Sequence, residues 1–391
     1  MTPFVARRYD TGEAVRITLE GEQIAGVQPV TPSPEDLASL PYVAPGFFDL
    51  QINGHGGVWF SDEGLTSDAV LTVLEAHFRY GVTRLCPTLI TNSFEAIHDG
   101  FTAVREACER EPWADQMVAG CHLEGPYIAS EDGPRGAHPL EHVRGCDWSE
   151  FEKWQKASGG RIRLVTLAAE ADGAEDFIRQ AVASGVTVAI GHTAANSEQI
   201  IAAVDAGARL STHLGNGAHG TMRRHPNYIW DQLGEPRLTA SIITDGHHLP
   251  PSVVRSIIYA KGTGNVVLTC DASGLAGCEP GEYDYHGGRF EVLADGPIVV
   301  AGQRQYLAGS GQLTDTCVSN AVTMAGITLG QACDMAALNP CRLLGVPVVT
   351  LTRGSRADLI LFRYGGSGSR LEITASLLSG ALRYGDLPEG T

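Results

Sequence analysis

The chain has 391 residues, 43% hydrophobic and 19% charged, which is typical of a globular protein with a buried core. Its formal net charge of −17 argues against nucleic acid and anionic membranes as partners, because both are negatively charged. No apolar run approaches the roughly 18 residues of a membrane span. Nine cysteines without a Cys-x-x-Cys pair, and an N-terminus unlike a signal peptide, predict free thiols in a cytoplasmic protein.

Short alternating segments at both ends of the chain predict β-structure. Residues 1–44 alternate apolar and polar side chains, as in Val15–Leu19, and glycines and prolines interrupt the alternation. Residues 345–364 read similarly, in the runs Val346–Val349 and Asp358–Phe362. These ends predict one small β-sandwich domain, built from residues 1–44 and 345–391, beside a catalytic domain over residues 45–344.

The middle of the chain alternates short apolar runs with segments of helical periodicity. Eight runs are candidate strands: Phe47–Ile52, Val82–Pro87, Val118–Leu123, Ile162–Leu167, Val186–Ile190, Arg209–Thr212, Ala240–Thr244 and Val266–Thr269. Helical spacing lies between most of them, at 67–80, 93–110, 174–184, 197–206 and 251–260. Eight strand–helix units over about 280 residues predict an α/β fold, a (β/α)₈ TIM barrel. The alternative, an open doubly wound sheet, would want a glycine-rich phosphate turn after the first strand, and no GxGxxG stands there.

Polar residues follow several of these strands, where a TIM barrel places its active site. Glu124, His192, His213 and Asp271 follow the third, fifth, sixth and eighth strands. Two neutral imidazoles and a carboxylate are a ligand set for Zn²⁺ or a similar ion, with one position left for water. Asp271 would accept a proton from that water. The pattern therefore predicts a metal-dependent hydrolase.

Other polar residues near the predicted barrel mouth have two readings. Glu170 suits a solvated loop at least as well as a functional role. His55 and His219 lie in glycine-rich loops, where either contact with substrate or solvent exposure is expected. Arg223 suits a solvated surface position as well as it suits a contact with the substrate.

Five short motifs resemble the N-acetylglucosamine-6-phosphate deacetylase family of the amidohydrolase superfamily. They are residues 122–126, 136–139, 191–193, 212–214 and 307–310, and the resemblance covers nearly the whole chain. It implies that Glu124, His192 and His213 bind the metal. It also implies that Asp271 is the general acid/base, that His138 polarises the substrate carbonyl, and that Asn216, Gly217, Arg224 and His248 hold the sugar phosphate.

The resemblance also implies a metal count and an assembly. Many amidohydrolases have His-x-His on the first strand for a second metal, whereas this chain has Gln51 and Asn53. Amides are poor ligands for a divalent ion, so we expect one ion per chain, Zn²⁺ first, with Fe²⁺, Co²⁺ or Mn²⁺ as alternatives. A homodimer is implied, in which Arg224 reaches into the neighbouring subunit.

The implied reaction is hydrolysis of the N-acetyl amide of an amino sugar, with N-acetylglucosamine 6-phosphate as the expected substrate. The segments Gly215–His219 and Arg223–Tyr228 depart from the family's usual sequence, so the chemistry is better supported than the sugar or its phosphate. Two alternatives stay open at this point. One is an amidohydrolase acting on another amino sugar or an N-acyl amino acid, and the other is a barrel without catalytic activity.

Overall fold

A computed structural model describes residues 3–285 and 288–388 of the chain. The first part of the chain forms four strands and a short helix. They are β1 (Phe4–Arg8), β2 (Ala14–Glu20), β3 (Gln23–Pro29), α1 (Pro34–Ser39) and β4 (Tyr42–Pro45). From Val15 onward, β2 alternates buried apolar with more exposed polar side chains, and antiparallel strands that cover a core on one face show this pattern.

The next strands build the barrel that the sequence predicts. In chain order they are β5 (Phe47–Ile52), the small hairpin β6 (Gly54–His55) and β7 (Val58–Trp59), then β8 (Val82–Ile90), β9 (Cys121–Glu124), β10 (Ile162–Leu167), β11 (Thr187–Ile190), β12 (Leu210–Ser211), β13 (Thr239–Ile243) and β14 (Val266–Thr269). Apart from the hairpin, these strands form one eight-stranded parallel sheet in the order β5-β8-β9-β10-β11-β12-β13-β14. All eight candidate strands are found, and the (β/α)₈ barrel is confirmed.

Helices lie between the barrel strands and cover them. They are α2 (Ser67–His77), α3 (Phe94–Arg110), α4 (Pro112–Met117), α5 (Trp148–Ala157), α6 (Ala174–Ala183), α7 (Ser197–Ala206), α8 (Tyr228–Gly234) and α9 (Pro251–Lys261), with short 3₁₀ helices at Phe78–Tyr80, Leu140–His142 and Thr263–Asn265. Polar N-caps set several starts, because their side chains accept the first free backbone N–H groups; Ser93 and Asn196 are examples.

The barrel closes between its first and last strands through a buried carboxylate. Asp49 of β5 accepts hydrogen bonds from the Cys270 amide (2.9 Å) and from the hydroxyls of Thr314 (2.7 Å) and Thr269. The Asn53 amide donates to the Ala272 carbonyl (2.9 Å) just beyond. Burying a carboxylate without hydrogen-bond donors would cost free energy, so these donors stabilise Asp49, and Asp49 in turn holds the segments that carry them in place. The chain that leads into Asp271 is thereby held against the first strand.

After the barrel the chain forms a second small sheet that the sequence analysis did not predict. It consists of β15 (Gly281–Tyr285), β16 (Gly288–Val292), β17 (Ile298–Val300) and β18 (Gln303–Leu307), paired antiparallel. Two helices follow, α10 (Thr314–Ala325) and α11 (Leu329–Leu344). The small sheet packs its apolar face near the barrel mouth, so it contributes to the site described below.

The chain ends with β19 (Leu359–Arg363), β20 (Glu372–Leu378) and β21 (Ala381–Gly385). They join the first four strands in a sheet of order β21-β20-β19-β4-β1-β2-β3, so both ends do build one β-structure. The edge strand β3 also pairs with the segment just before β19. The Ile24 amide donates to the Ser355 carbonyl, and the Gly354 amide donates to the Ile24 carbonyl. The β-run expected at Val346–Val349 is wrong: these residues form no strand, and Pro347 lacks the N–H that a ladder needs.

Three further expectations can be set beside the structure. All nine cysteines are free, as predicted. Among the described residues, no helix has the length and apolar character needed to cross a membrane. The division into domains at 44/45 and 344/345 stays a proposal.

Candidate metal centre

Three side chains from separate strand ends meet inside the barrel mouth. Glu124 ends β9, His192 follows β11 and His213 follows β12. Glu124 Oε1 lies 3.1 Å from His213 Nε2 and 3.3 Å from His192 Nε2, and the two Nε2 atoms are 3.1 Å apart. All three residues are buried. The structure thus brings together the three metal ligands that the sequence predicts.

The hydrogen bonds around this cluster suit a divalent cation. His192 Nδ1 lies 2.8 Å from the Pro134 carbonyl, an acceptor only, so Nδ1 carries the proton and Nε2 presents its lone pair to the cluster. Three electron-rich atoms that converge without a cation would repel one another. Two neutral imidazoles and one carboxylate are a usual Zn²⁺ ligand set, so these residues fit the metal ion that the sequence predicts.

Backbone conformation aims the side chains at one point. Among the described residues, four non-glycine residues have positive φ, and three of them are His192 (49°), His213 (30°) and Asp271 (53°). Such left-handed conformations cost energy in L-residues and occur where the surrounding structure enforces them, often at functional sites. The turn at each strand end therefore directs its side chain into the mouth.

Asp271 lies beside the cluster and is held by two side-chain amides at the end of the first barrel strand. Its Oδ1 accepts hydrogen bonds from Gln51 Nε2 (3.0 Å) and Asn53 Nδ2 (2.7 Å), and Gln51 also donates to Glu124 (2.8 Å). Burial and the negative charge of Glu124 raise the pKa of Asp271 well above its usual range. A cation on the three ligands would lower this pKa and favour the carboxylate. Gln51 and Asn53 act here as donors that orient carboxylates.

His138 is buried next to the ligand His192, with ring centroids 4.3 Å apart. Its Nδ1 lies 2.8 Å from the Thr91 hydroxyl, and burial lowers the pKa of His138 to about 3. The Thr91 hydroxyl lies 3.5 Å from the Glu124 carbonyl, a longer contact, which favours donation to His138. A neutral His138 that accepts at Nδ1 carries its proton on Nε2, where it can donate to a substrate oxygen.

A cavity of about 880 Å³ opens above the cluster. Its lining includes the metal-centre residues, His138, Asp271, Asn216, Gly217 and His248. Asn216 donates to the His213 carbonyl (3.1 Å). Gly217 has φ +55°, and a Cβ there would lie 3.0 Å from His192 Nδ1, so this position requires glycine.

Other residues singled out from the sequence lie elsewhere. Arg223 and Arg224 are exposed and are not among the described residues that line the cavity. His55 packs against His77 and Tyr80 and is not among the described residues that line the cavity.

Two further candidates have structural partners. His219 lines the cavity, with contacts to Glu131 (3.0 Å) and the Tyr228 hydroxyl (2.9 Å). Glu170 accepts from the Ala194 amide (2.6 Å) and the Thr193 hydroxyl, so it braces the loop after His192.

Sequence reasoning missed an apolar wall of the cavity. Trp59 stacks on Tyr285, with ring centroids 4.5 Å apart, and Phe290 packs beside them. Two of these residues belong to the unpredicted sheet β15–β18. The alternation of Tyr283, Tyr285, Phe290 and Val292 around glycines was the available signal.

One family model and two sequence relatives match most of this chain. The family model described as the amidohydrolase family matches residues 42–381. N-acetylgalactosamine-6-phosphate deacetylase of Escherichia coli O157:H7 is 33% identical over 91% of this chain and 92% of its own length. N-acetylglucosamine-6-phosphate deacetylase of Bos taurus is 33% identical over 87% of this chain and 83% of its own.

A solved structure agrees with these relatives over the whole fold. It is a mutant of N-acetyl-D-glucosamine-6-phosphate deacetylase from Mycobacterium smegmatis in complex with N-acetyl-D-glucosamine-6-phosphate. Its TM-score is 0.86 at 29% identity, and the match covers 98% of this chain and all of that one.

Proposed function

The chain belongs to the amidohydrolase family, and from that premise we propose that it hydrolyses N-acetylglucosamine 6-phosphate to glucosamine 6-phosphate and acetate. The observation that carries the proposal is the convergence of Glu124, His192 and His213 beside Asp271 in one cavity. The relative from Bos taurus and the mycobacterial complex with N-acetyl-D-glucosamine-6-phosphate support this substrate. A barrel without catalytic activity would not need such a set of residues.

One divalent ion per chain belongs to this proposal, held by Glu124, His192 and His213. It would activate a water molecule and polarise the amide carbonyl. Zn²⁺ suits these ligands, and Fe²⁺, Co²⁺ and Mn²⁺ are the alternatives that availability decides. Gln51 and Asn53 stand where many amidohydrolases have His-x-His for a second metal. Their amides already donate to the carboxylates of Glu124 and Asp271, which supports a single ion.

The proton transfers fall to Asp271. Its carboxylate takes a proton from the water that attacks the acetyl carbonyl carbon, and it then delivers this proton to the amide nitrogen as the C–N bond breaks. The anchoring of Oδ1 by Gln51 and Asn53 leaves Oδ2 for this exchange. His138 donates from Nε2 to the carbonyl oxygen, where negative charge develops in the tetrahedral intermediate.

Asn216, Gly217 and His248 lie on the cavity wall and would bind the sugar phosphate. Arg224 does not line the cavity of its own chain, so we propose that it enters the cavity of a second copy. Large apolar side chains are exposed on neighbouring helices, among them Trp230 of α8 (55% exposed) and Tyr259 of α9 (72%). A homodimer that covers this face would present the Arg223–Tyr228 loop to its partner.

The galacto epimer is a second candidate, because the Escherichia coli relative at 33% identity is an N-acetylgalactosamine-6-phosphate deacetylase. A substrate panel separates the possibilities: both N-acetylhexosamine 6-phosphates, their unphosphorylated forms and N-acetyl amino acids, with acetate release measured. We expect the highest kcat/KM for N-acetylglucosamine 6-phosphate. Faster hydrolysis of the galacto epimer, or of an N-acetyl amino acid, would replace the proposed substrate.

The free cysteines also support a cytoplasmic location as part of the proposal.

A further inference from the structure

A buried carboxylate that the proposed reaction does not use supports one wall of the cavity. Asp245 follows β13 and is 4% exposed. Its Oδ1 accepts the amides of His247 (2.8 Å) and His248 (2.9 Å), and its Oδ2 lies 2.8 Å from His248 Nδ1 and accepts from the Ser310 hydroxyl (2.9 Å). Four hydrogen bonds therefore converge on one carboxylate.

These contacts favour the ionised form of Asp245 and place a proton on Nδ1 of His248. Burial alone would raise the pKa of Asp245, but hydrogen bonds and charge from His248 and the two backbone amides lower it well below its usual range. Because an ionised carboxylate only accepts, His248 must carry a proton on Nδ1. Nε2 is then the ring atom left for the cavity, whose wall includes His248.

The cavity needs a positive group if its ligand is a phosphate. Of the lining residues that the structure describes, Arg135 is the single arginine or lysine, and it already pairs with Asp132 and donates to the His138 carbonyl (2.8 Å). The chain as a whole carries −17 charges, which repel an anion. Within one chain, His248, which is paired with the buried carboxylate of Asp245, is the lining residue best placed to carry a positive charge.

We propose that Asp245 is a positioning residue that makes His248 a phosphate ligand. It holds Nδ1 protonated and stabilises the doubly protonated ring when a phosphate lies against Nε2. This inference rests on the proposed function, because it takes a phosphorylated sugar as the ligand. With Nδ1 protonated, the neutral ring has only a lone pair at Nε2, which a phosphate oxygen would not approach.

Ser310 belongs to the motif Leu307–Ser310, to which the sequence analysis gave no role. Its hydroxyl donates to Asp245 and accepts the Gln312 amide (3.0 Å), and its own amide donates to the Asp271 carbonyl (2.8 Å). The motif therefore connects the proposed phosphate ligand with the strand end that holds the acid/base.

Asp245→Asn tests the proposal at nearly constant size. The asparagine oxygen can keep both backbone amides, whereas its NH₂ group would face His248 Nδ1 and force the ring into the opposite, neutral tautomer. Loss of a charge-assisted hydrogen bond should lower the ratio of kcat/KM for the phosphorylated over the unphosphorylated sugar by about tenfold. Ser310→Ala keeps the Asp245–His248 bond and should change this ratio by less than about threefold.

Two binding measurements keep the test independent of catalysis. The ¹⁵N shifts of His248 should show a proton on Nδ1 in the wild type and on Nε2 in Asp245→Asn. The Kd of inorganic phosphate should rise about tenfold in the variant. An unchanged substrate ratio and phosphate Kd in a variant that unfolds at the wild-type temperature would overturn the inference. If instead the wild type fails to hydrolyse the phosphorylated sugar but binds phosphate through His248, the proposed function alone fails.

Discussion

The metal-centre cluster of Glu124, His192 and His213 differs from the loop Arg223–Tyr228 in how it is held, although the loop follows the same strand as His213. The cluster is buried, and each member ends or follows a strand of the barrel. Most of the loop is exposed, and in one chain its arginines do not line the cavity. The difference fits our proposal that one chain contains the catalytic residues, whereas Arg224 of a second copy would add to the recognition of the substrate.

Substitution of the acid/base tests the buried side of this comparison and should have the largest effect. Asp271→Asn keeps the size of the side chain but cannot accept the proton of water, so kcat should fall by roughly 10²–10⁴-fold. Metal content per chain, measured in parallel, should stay near one. Activity within a few-fold of wild type, with the metal still bound, would show that another group transfers the proton.

Substitution of the loop arginine tests the exposed side. Arg224→Ala should raise KM for the phosphorylated sugar by about 10–100-fold, as expected for the loss of a charged hydrogen bond, with a smaller change in kcat. Arg223→Ala is the matched control and should change KM by less than about threefold. Equal effects of the two variants would mean that the loop contributes only general positive charge.

A glycine joins the two regions. Gly217 lies between His213 and the loop, and an added Cβ would press on the ring of His192. Gly217→Ala should therefore weaken metal binding by about tenfold, which is typical when support around a ligand is disturbed. A titration with a metal-sensitive dye would measure this. Unchanged affinity would show that the ring has room to move.

The smallest effect is expected at the apolar face of α8 and α9. Trp230→Ser should shift the protein toward monomers in sedimentation measurements, because it removes an exposed aromatic side chain from the proposed interface. KM for the phosphorylated sugar should rise with the monomer fraction, whereas hydrolysis at saturating substrate should fall less. A wild type that is monomeric at assay concentrations would contradict the role proposed for Arg224.

The buried region was the more predictable one from the sequence. Each barrel strand is a short apolar run, and Glu124, His192, His213 and Asp271 each follow one, so barrel closure alone predicts that they meet. The left-handed backbone at three of these residues was not predictable, because it is imposed by the surrounding structure.

The substrate side was less predictable for physical reasons. The sheet β15–β18 has short strands whose apolar residues face a local cluster, so its pattern resembles that of any surface hairpin. Asp245 stood at the end of the seventh strand, but only the structure shows that His248 turns back to it. Arg224 is exposed in its own chain, and the role proposed for it in a second copy would depend on assembly, which local sequence patterns do not record.

The most direct test is a crystal structure of the purified protein with an anomalous difference map at the metal edge. The account predicts one peak per chain, about 2.0–2.2 Å from Glu124 Oε1 and from the Nε2 atoms of His192 and His213. Two peaks, a peak on other residues, or no peak after incubation with Zn²⁺ would contradict it.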